Sequence, residues 1–312
     1  VEALTVVHAD GTVRRYERGE KIDFEVARLR APATRKNTAG YLLAPGMDWV
    51  DLFIGSEGTL GVVAEAELRL MAAPRELLTG VVFFPDDESA VAAVDAWREV
   101  AGVRMLEYFD GASLALLGEA GGAALLIEQE LAARDTAHDW MERLEAQHAN
   151  LERSWIASND AERERFRRFR HALPERVNEM VRQNGFMKLG SDFAVPVGAN
   201  LAMLRYYREQ LERAWTGQAV IFGHIGDAHV HVNLLSTTAA EFELGKNLML
   251  DFARQAVALG GTVSAEHGLG KRKRELLGLQ YTAEEIEAMR AVKRRLDPLG
   301  MLGRGTLFEE WR

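Results

Sequence analysis

The stretch GHIGDAHVHVN, Gly223 to Asn233, holds three of the chain's eight histidines, His224, His229 and His231, and ends on Asn233. Imidazoles at this density either decorate a polar hairpin or aim several ring nitrogens at one ion. Val230, Val232 and Leu234 alternate with His231 and Asn233, which is a strand with one polar and one apolar face. Centring a hairpin loop on Gly226-Asp227-Ala228-His229 sets Ile225 opposite Val230 and His224 opposite His231. Cross-strand partners share a face with Cβ atoms about 4.5–5.5 Å apart, close enough for two imidazoles to chelate one ion. Asn233 follows His231 by two positions and faces the same way. His229 falls at the turn in this register, where an ordinary exposed ring is the expected outcome. Two imidazoles do not complete a site, because zinc usually takes three protein ligands and leaves a position open for chemistry. Glu266 in SAEHGLG is the candidate third ligand, at a strand end among small residues and glycines that admit a close approach. His267 is adjacent. Any single strand histidine is more often a surface or hydrogen-bonded core residue than a ligand; the case rests on convergence.

The elements that must position these residues follow from local pattern. Glu2 to Tyr16 reads as a hairpin turning at Asp10-Gly11, and a strand is expected over Gly61 to Leu70. Ala72-Ala73-Pro74 marks a boundary, so the expected domains are 1–73 and 74–312. Beyond it, LLTGVVFFP, VRMLEYFD, AALLIEQE and FMKLGSDFAVPV read as strands. Helices are expected over Asp86 to Ala101, Ala132 to Asn150, Asn159 to Asn184, Asn200 to Thr216 and Ala239 to Leu259. TVSAEHGLG reads as a strand entering a loop, and two last helices flank DPLGMLGRG. Strands and helices interleaved with hairpins imply an α+β fold with an antiparallel sheet.

Composition narrows the function classes. With 312 residues the chain is long enough for two domains. A net charge of −9 argues against binding nucleic acid over a broad surface. The absence of cysteine excludes disulfides, thiolate metal sites and cysteine nucleophiles, and fits a reducing, cytoplasmic setting. No apolar run approaches the roughly 20 residues of a membrane span, so any membrane association is expected to be peripheral. The opening VEALTVVHADG reads as strand and turn already inside a domain, so the chain is expected to be a fragment.

Several motifs in order resemble the FAD-linked oxidases related to vanillyl-alcohol oxidase. The branch in question holds the glycolate oxidase catalytic subunit, D-lactate dehydrogenase and D-2-hydroxyglutarate dehydrogenase. GHIGDAHVHVN resembles that family's G-H-x-G-D-G-N-x-H-x-N, SAEHGLG its S-G-E-H-G-x-G, and RHALPE its R-x-x-[IL]-[TP]-E. RKNTAGYLL followed by LFIGSEGTLGVV is similar to the end of its FAD-binding domain, and LDPLGMLGRGTL to its terminal D-P-x-x-x-x-N-P-G-K. The resemblance implies the C-terminal part of a PCMH-type FAD-binding domain, joined to a cap domain whose antiparallel sheet is covered by helices. It implies that the last helix and tail return to the flavin. It makes His224, His231 and Glu266 divalent-metal ligands, for zinc or manganese, and His267 the catalytic base. Asn233 and Arg170 become substrate contacts, Arg170 gripping the carboxylate through its two-pronged guanidinium. Lys188 is a weaker substrate candidate, because its offset from Pro196 differs from the family's. Gly55, Ser56, Glu57, Gly58, Thr59, Leu60, Gly61, Val62 and Val63 would touch the flavin.

The chain departs from the family at three places. Ala228-His229 replaces Gly-Asn beside the expected metal, GRGT at Gly303 to Thr306 replaces N-P-G-K, and no Gly-rich pyrophosphate loop is found. The implied activity is oxidation of a D-2-hydroxy acid to the 2-oxo acid with hydride transfer to FAD, the electron acceptor being unspecified. A homodimer or a partner subunit is open. Two other readings stay open: a non-redox flavin transferase like alkyl-dihydroxyacetonephosphate synthase, and a non-catalytic metal-binding remnant.

Overall fold

The computed structural model describes residues 1–132 and 137–309. In chain order the first elements are β1 (Ala3–Val7), β2 (Val13–Glu17), α1 (Trp49–Phe53), β3 (Val62–Glu67), β4 (Leu77–Phe84), α2 (Asp87–Trp97) and β5 (Val103–Asp110). There follow α3 (Gly111–Leu117), β6 (Ala123–Glu130), α4 (Ala137–Ala146), β7 (Asn150–Ile156), α5 (Asp160–Asn184), β8 (Leu189–Gly190) and α6 (Asn200–Ala214). The last are β9 (Gln218–His224), β10 (His229–Leu235), α7 (Ala239–Ala258), α8 (Leu277–Gln280) and α9 (Ala283–Leu296). The chain divides into two compact units, one of Val1–Ala72 with Gly260–Arg312, the other of Ala73–Leu259. Among the described residues no helix is long and apolar enough to cross a membrane.

The Ala73–Leu259 unit is an α+β layer structure. Its seven strands form one antiparallel sheet in the order β7-β4-β6-β5-β9-β10-β8. The sheet core joins Val81, Phe83, Phe109 and Leu126 to Phe166, Leu173 and Val177 of α5. Each such side chain contributes roughly 1.5–3 kcal/mol by leaving water, which anchors α5 on the sheet despite its charged outer face. Asn159 caps α5 by accepting from the Glu162 amide, and Gly185 ends it in the left-handed conformation at φ 75. Gly245 lets α7 approach the sheet closely, since a Cβ there would stand 2.6 Å from Leu189 and 3.2 Å from Leu234.

Five expected elements differ. The β9–β10 hairpin pairs His224 with His229 and His231 with Phe222, so the loop is Ile225 to Ala228 rather than Gly226 to His229. Ala228 closes that loop in the left-handed region at φ 51, the conformation that ends the turn one residue earlier. FMKLGSDFAVPV is regular strand only at Leu189–Gly190, with one further bridge between Ala194 and His229. TVSAEHGLG is not a strand. Hydroxyls of Thr262 and Ser264 bond to Asn37, Gln280 and Thr38, replacing ladder bonds with side-chain ones. The expected helix to Asn150 ends at Ala146, and the apolar alternation after it forms β7; residues 133–136 lie outside the described ones. Of the two helices expected around DPLGMLGRG, only α9 forms among the described residues.

The other unit carries a three-stranded antiparallel sheet, β2-β1-β3. Asp10-Gly11 does sit in the β1–β2 turn, but as part of a longer loop closed by the His8 amide on the Thr12 carbonyl at 2.8 Å. Tyr16, Trp49 and Phe53 pack together behind it. Gly260–Arg312 is tied to the first residues by backbone, as in the Thr38 amide on the Ser264 carbonyl at 2.8 Å. α9 opens with a capping box of Thr282 and Glu285. It closes on Asp297, which is fully buried. The Asp297 carboxylate pairs with the Lys293 ammonium and accepts from the amides of Met301 (2.9 Å) and Leu302 (2.7 Å), so it shapes the tail loop.

Candidate active site

In the Ala73–Leu259 unit the hairpin gathers its histidines on one face. One ring nitrogen of each of His224, His229 and His231 lies within 4.8 Å of the others. The ring centroids stand 5.7 Å apart for His224–His231, 5.5 Å for His224–His229 and 4.4 Å for His229–His231. The cross-strand register explains this: His229 is directly opposite His224, and His231 is two positions further on the same face.

Two partners orient the rings. His224 Nδ1–H donates to Glu107 Oε1 at 2.8 Å, and His231 Nδ1–H donates to the Ser191 carbonyl at 2.9 Å. Each bond selects the tautomer whose Nε2 lone pair is the one that can ligate a metal, the outer-shell pattern expected of metal-binding histidines. Burial, then the neighbouring His229 and His224 rings, push His231 down to about 4, so it is neutral at pH 7 as a ligand must be. Ser191 is itself pinned to β10 by its hydroxyl, which accepts from the Val232 amide at 2.8 Å.

Glu107 is a residue that motif reading passes over. It lies on β5 with its side chain 8% exposed, and the same Oε1 accepts from Arg170 Nη2 at 2.7 Å. Burial pushes its carboxyl up, but the His224 hydrogen bond and the His224 and Arg170 charges outweigh this and hold it below the ordinary carboxylate value. One carboxylate thus ties the expected substrate anchor to an expected metal ligand. Arg170 also lines a 350 Å³ cavity together with Met105, Leu126, Glu128 and Arg167. Asn233 is buried beside the histidine face, pairing with Gly190 of β8. A Cβ at Gly190 would stand 3.2 Å from its Oδ1, so glycine leaves room for that amide. Lys188 is exposed, just before β8.

In the other unit, Glu266 and His267 are on the surface. Glu266 pairs with Lys36 at 2.5 Å, a partner absent from the sequence reading. Gly268 (φ 69) and Gly270 (φ 56) take the left-handed turns that bend the chain after His267. Glu57 holds that bend: its carboxylate accepts from the Leu269 amide at 3.0 Å and the Gly270 amide at 2.7 Å. The side chain of an expected flavin contact is therefore committed to shaping the Glu266–His267 loop.

The rest of the expected flavin segment divides by exposure. Ser56, Thr59, Leu60 and Gly61 face inward, with Thr59 Oγ1 and the Tyr41 hydroxyl 2.5 Å apart. Gly55 and Gly58 have positive φ, and no heavy atom lies within 4 Å of where a Cβ would stand. Val62 and Val63 are 52% and 44% exposed. Bare backbone beside exposed apolar side chains is a surface a flat ring system can lie against, so these residues fit the group. The histidine face also fits a metal ion, since the His224 and His231 rings are oriented by their Nδ1 bonds and His231 is held neutral by burial.

Residues 73–307 match the family described as FAD linked oxidases, C-terminal domain. The D-2-hydroxyglutarate dehydrogenase of Xanthomonas citri pv. viticola is 31% identical over 291 residues, 88% of this chain and 59% of that protein. Glycolate oxidase subunit GlcD of Bacillus subtilis is 27% identical, over 88% of this chain and 58% of its own length. The chain thus spans about three fifths of the length of these curated relatives. Among solved structures, p-cresol methylhydroxylase with substrate bound superposes with a TM-score of 0.64 at 15% identity, covering 97% of this chain and 64% of that one. Alkyldihydroxyacetonephosphate synthase gives 0.51 at 14%, covering 96% and 50%. At these identities the structures speak for the fold alone. The family match takes in most of the chain, including the histidine hairpin and the Glu266–His267 loop, and so this chain belongs to the FAD-linked oxidases through their C-terminal domain.

Proposed function

We propose that this chain carries the substrate and metal side of an FAD-dependent dehydrogenase that oxidises a D-2-hydroxy acid to the 2-oxo acid with a divalent ion, zinc or manganese. The observation behind this reading is the histidine face: His224 and His231 converge, each with Nδ1 engaged, and Glu107 links His224 to Arg170. The relatives named for D-2-hydroxyglutarate and glycolate support the substrate class.

Arg170 binds the substrate carboxylate, with Asn233 and Lys188 as further contacts. His224, His231 and Glu266 would hold the ion, which would supply Lewis acidity toward the C2 hydroxyl. His267 takes the hydroxyl proton as general base. Gly55 to Val63 would lie against the flavin, which would supply the hydride acceptor. In this reading residues 1–73 are the C-terminal portion of a flavin-binding domain and 74–312 the substrate and metal cap. The electron acceptor and any partner subunit belong to the whole protein.

Elemental analysis of dialysed protein tests the reading. Wild type is expected to retain a divalent ion and His231→Ala to lose it. Equal metal in both removes the assignment, and a wild type without metal returns the chain to a transferase or non-catalytic role.

A further inference from the structure

We propose that His229 is a third imidazole ligand of the ion, which makes the site nitrogen-rich and selective for zinc-like over manganese-like ions. This rests on the proposed function and extends its ligand set by one residue. His229 is fully buried, with a side chain 0% exposed, yet neither ring nitrogen has a hydrogen-bond partner. Native interiors rarely leave both nitrogens of an imidazole unsatisfied, and an unmet ligand role is a recognised cause. Asp192 Oδ1 comes within 3.1 Å of His229 Nε2, but the contact lacks hydrogen-bond alignment. It therefore supplies nearby negative charge, which favours a cation, without satisfying the ring.

Position agrees with chemistry. His229 is the cross-strand partner of His224 and shares a face with His231, and a nitrogen of each ring is within 4.8 Å of the others. The backbone holds it there from both sides, by β9 and by the bridge between His229 and Ala194. The Val195 amide adds a bond to the Ala228 carbonyl at 3.1 Å. Three imidazoles favour zinc, cobalt or nickel over ions that prefer oxygen donors, such as manganese or magnesium.

Two measurements on the full 312-residue chain test this. X-ray absorption of the zinc-loaded wild type counts imidazoles without any substitution; three support the proposal and two overturn it. Zinc titration against a competing chelator then compares wild type with folded His229→Asn. Outer-shell losses weaken binding about 10–100-fold. Loss of a direct ligand is expected at or beyond the top of that range, with preference for zinc over manganese reduced. An unchanged zinc affinity in His229→Asn, where His231→Ala abolishes binding, overturns this inference and leaves the proposed function standing. Absence of zinc binding in wild type overturns both.

Discussion

At the scale of single residues, the chemistry of this protein turns on which atom of each side chain is already engaged. Glu107 Oε1 accepts from His224 and from Arg170, so one charge orients both the proposed metal ligand and the proposed substrate anchor. Neutralising it removes both effects together. Glu107→Gln is expected to keep the fold and to lower zinc affinity about 10–100-fold, the usual effect of losing a metal's outer-shell carboxylate. It should also raise KM for hydroxy acids as Arg170 loses its tether. Chelator competition and steady-state kinetics on the same preparation read the two effects; unchanged zinc affinity would make Glu107 a partner of Arg170 alone. No spacing rule leads to Glu107, which is one of two carboxylates in β5 and lies 117 positions from His224 in the chain.

At the scale of elements, turns and caps decide where side chains arrive. Asn159, Thr238 and Thr282 cap α5, α7 and α9 where local chemistry places helix starts, and Gly185 ends α5 as a glycine should. The β9–β10 hairpin is equally visible from its alternation, but its register is not. A loop beginning at Ile225 in place of Gly226 moves His229 from the turn into the strand. The tail after α9 depends on a different device. Asp297 and Lys293 are both buried and paired, and Lys293 also donates to the carbonyls of Thr59 (2.7 Å) and Leu302 (2.9 Å). Asp297→Ala would remove the buried carboxylate that pairs with that ammonium and accepts from the Met301 and Leu302 amides. Removing one partner of a buried pair costs about 3–5 kcal/mol. A drop of that size in urea-melt stability is expected, partly recovered in Lys293→Met/Asp297→Ala. A loss under about 1 kcal/mol would show that the pair is dispensable.

At the scale of the molecule, the proposed chemistry divides between two units. The histidine face and Arg170 belong to the sheet unit, and Glu266, His267 and the Gly55 to Val63 segment to the other. The proposal assigns His267 a proton and not the metal, and this can be checked in the intact, FAD-loaded protein. His267→Asn is expected to retain zinc and flavin while flavin reduction by a D-2-hydroxy acid slows about 10²–10⁴-fold, the range for losing a general base. Stopped-flow absorbance measures the rate. Reduction at the wild-type rate would place the base elsewhere, and loss of zinc would make His267 a ligand. By itself the sequence determined what short-range pattern can carry: the α+β class with an antiparallel sheet, the approximate spans of the long helices, and the cluster of imidazoles. Those follow from periodicity, caps and φ preferences acting over a few residues. Tertiary structure alone decided the hairpin register, the burial of His229, the joining of Arg170 to His224 through Glu107, and the commitment of Glu57 to the Glu266–His267 loop. Each of these depends on how strands and loops distant in sequence pack against one another, and a partner supplied across that distance leaves no mark in the local pattern.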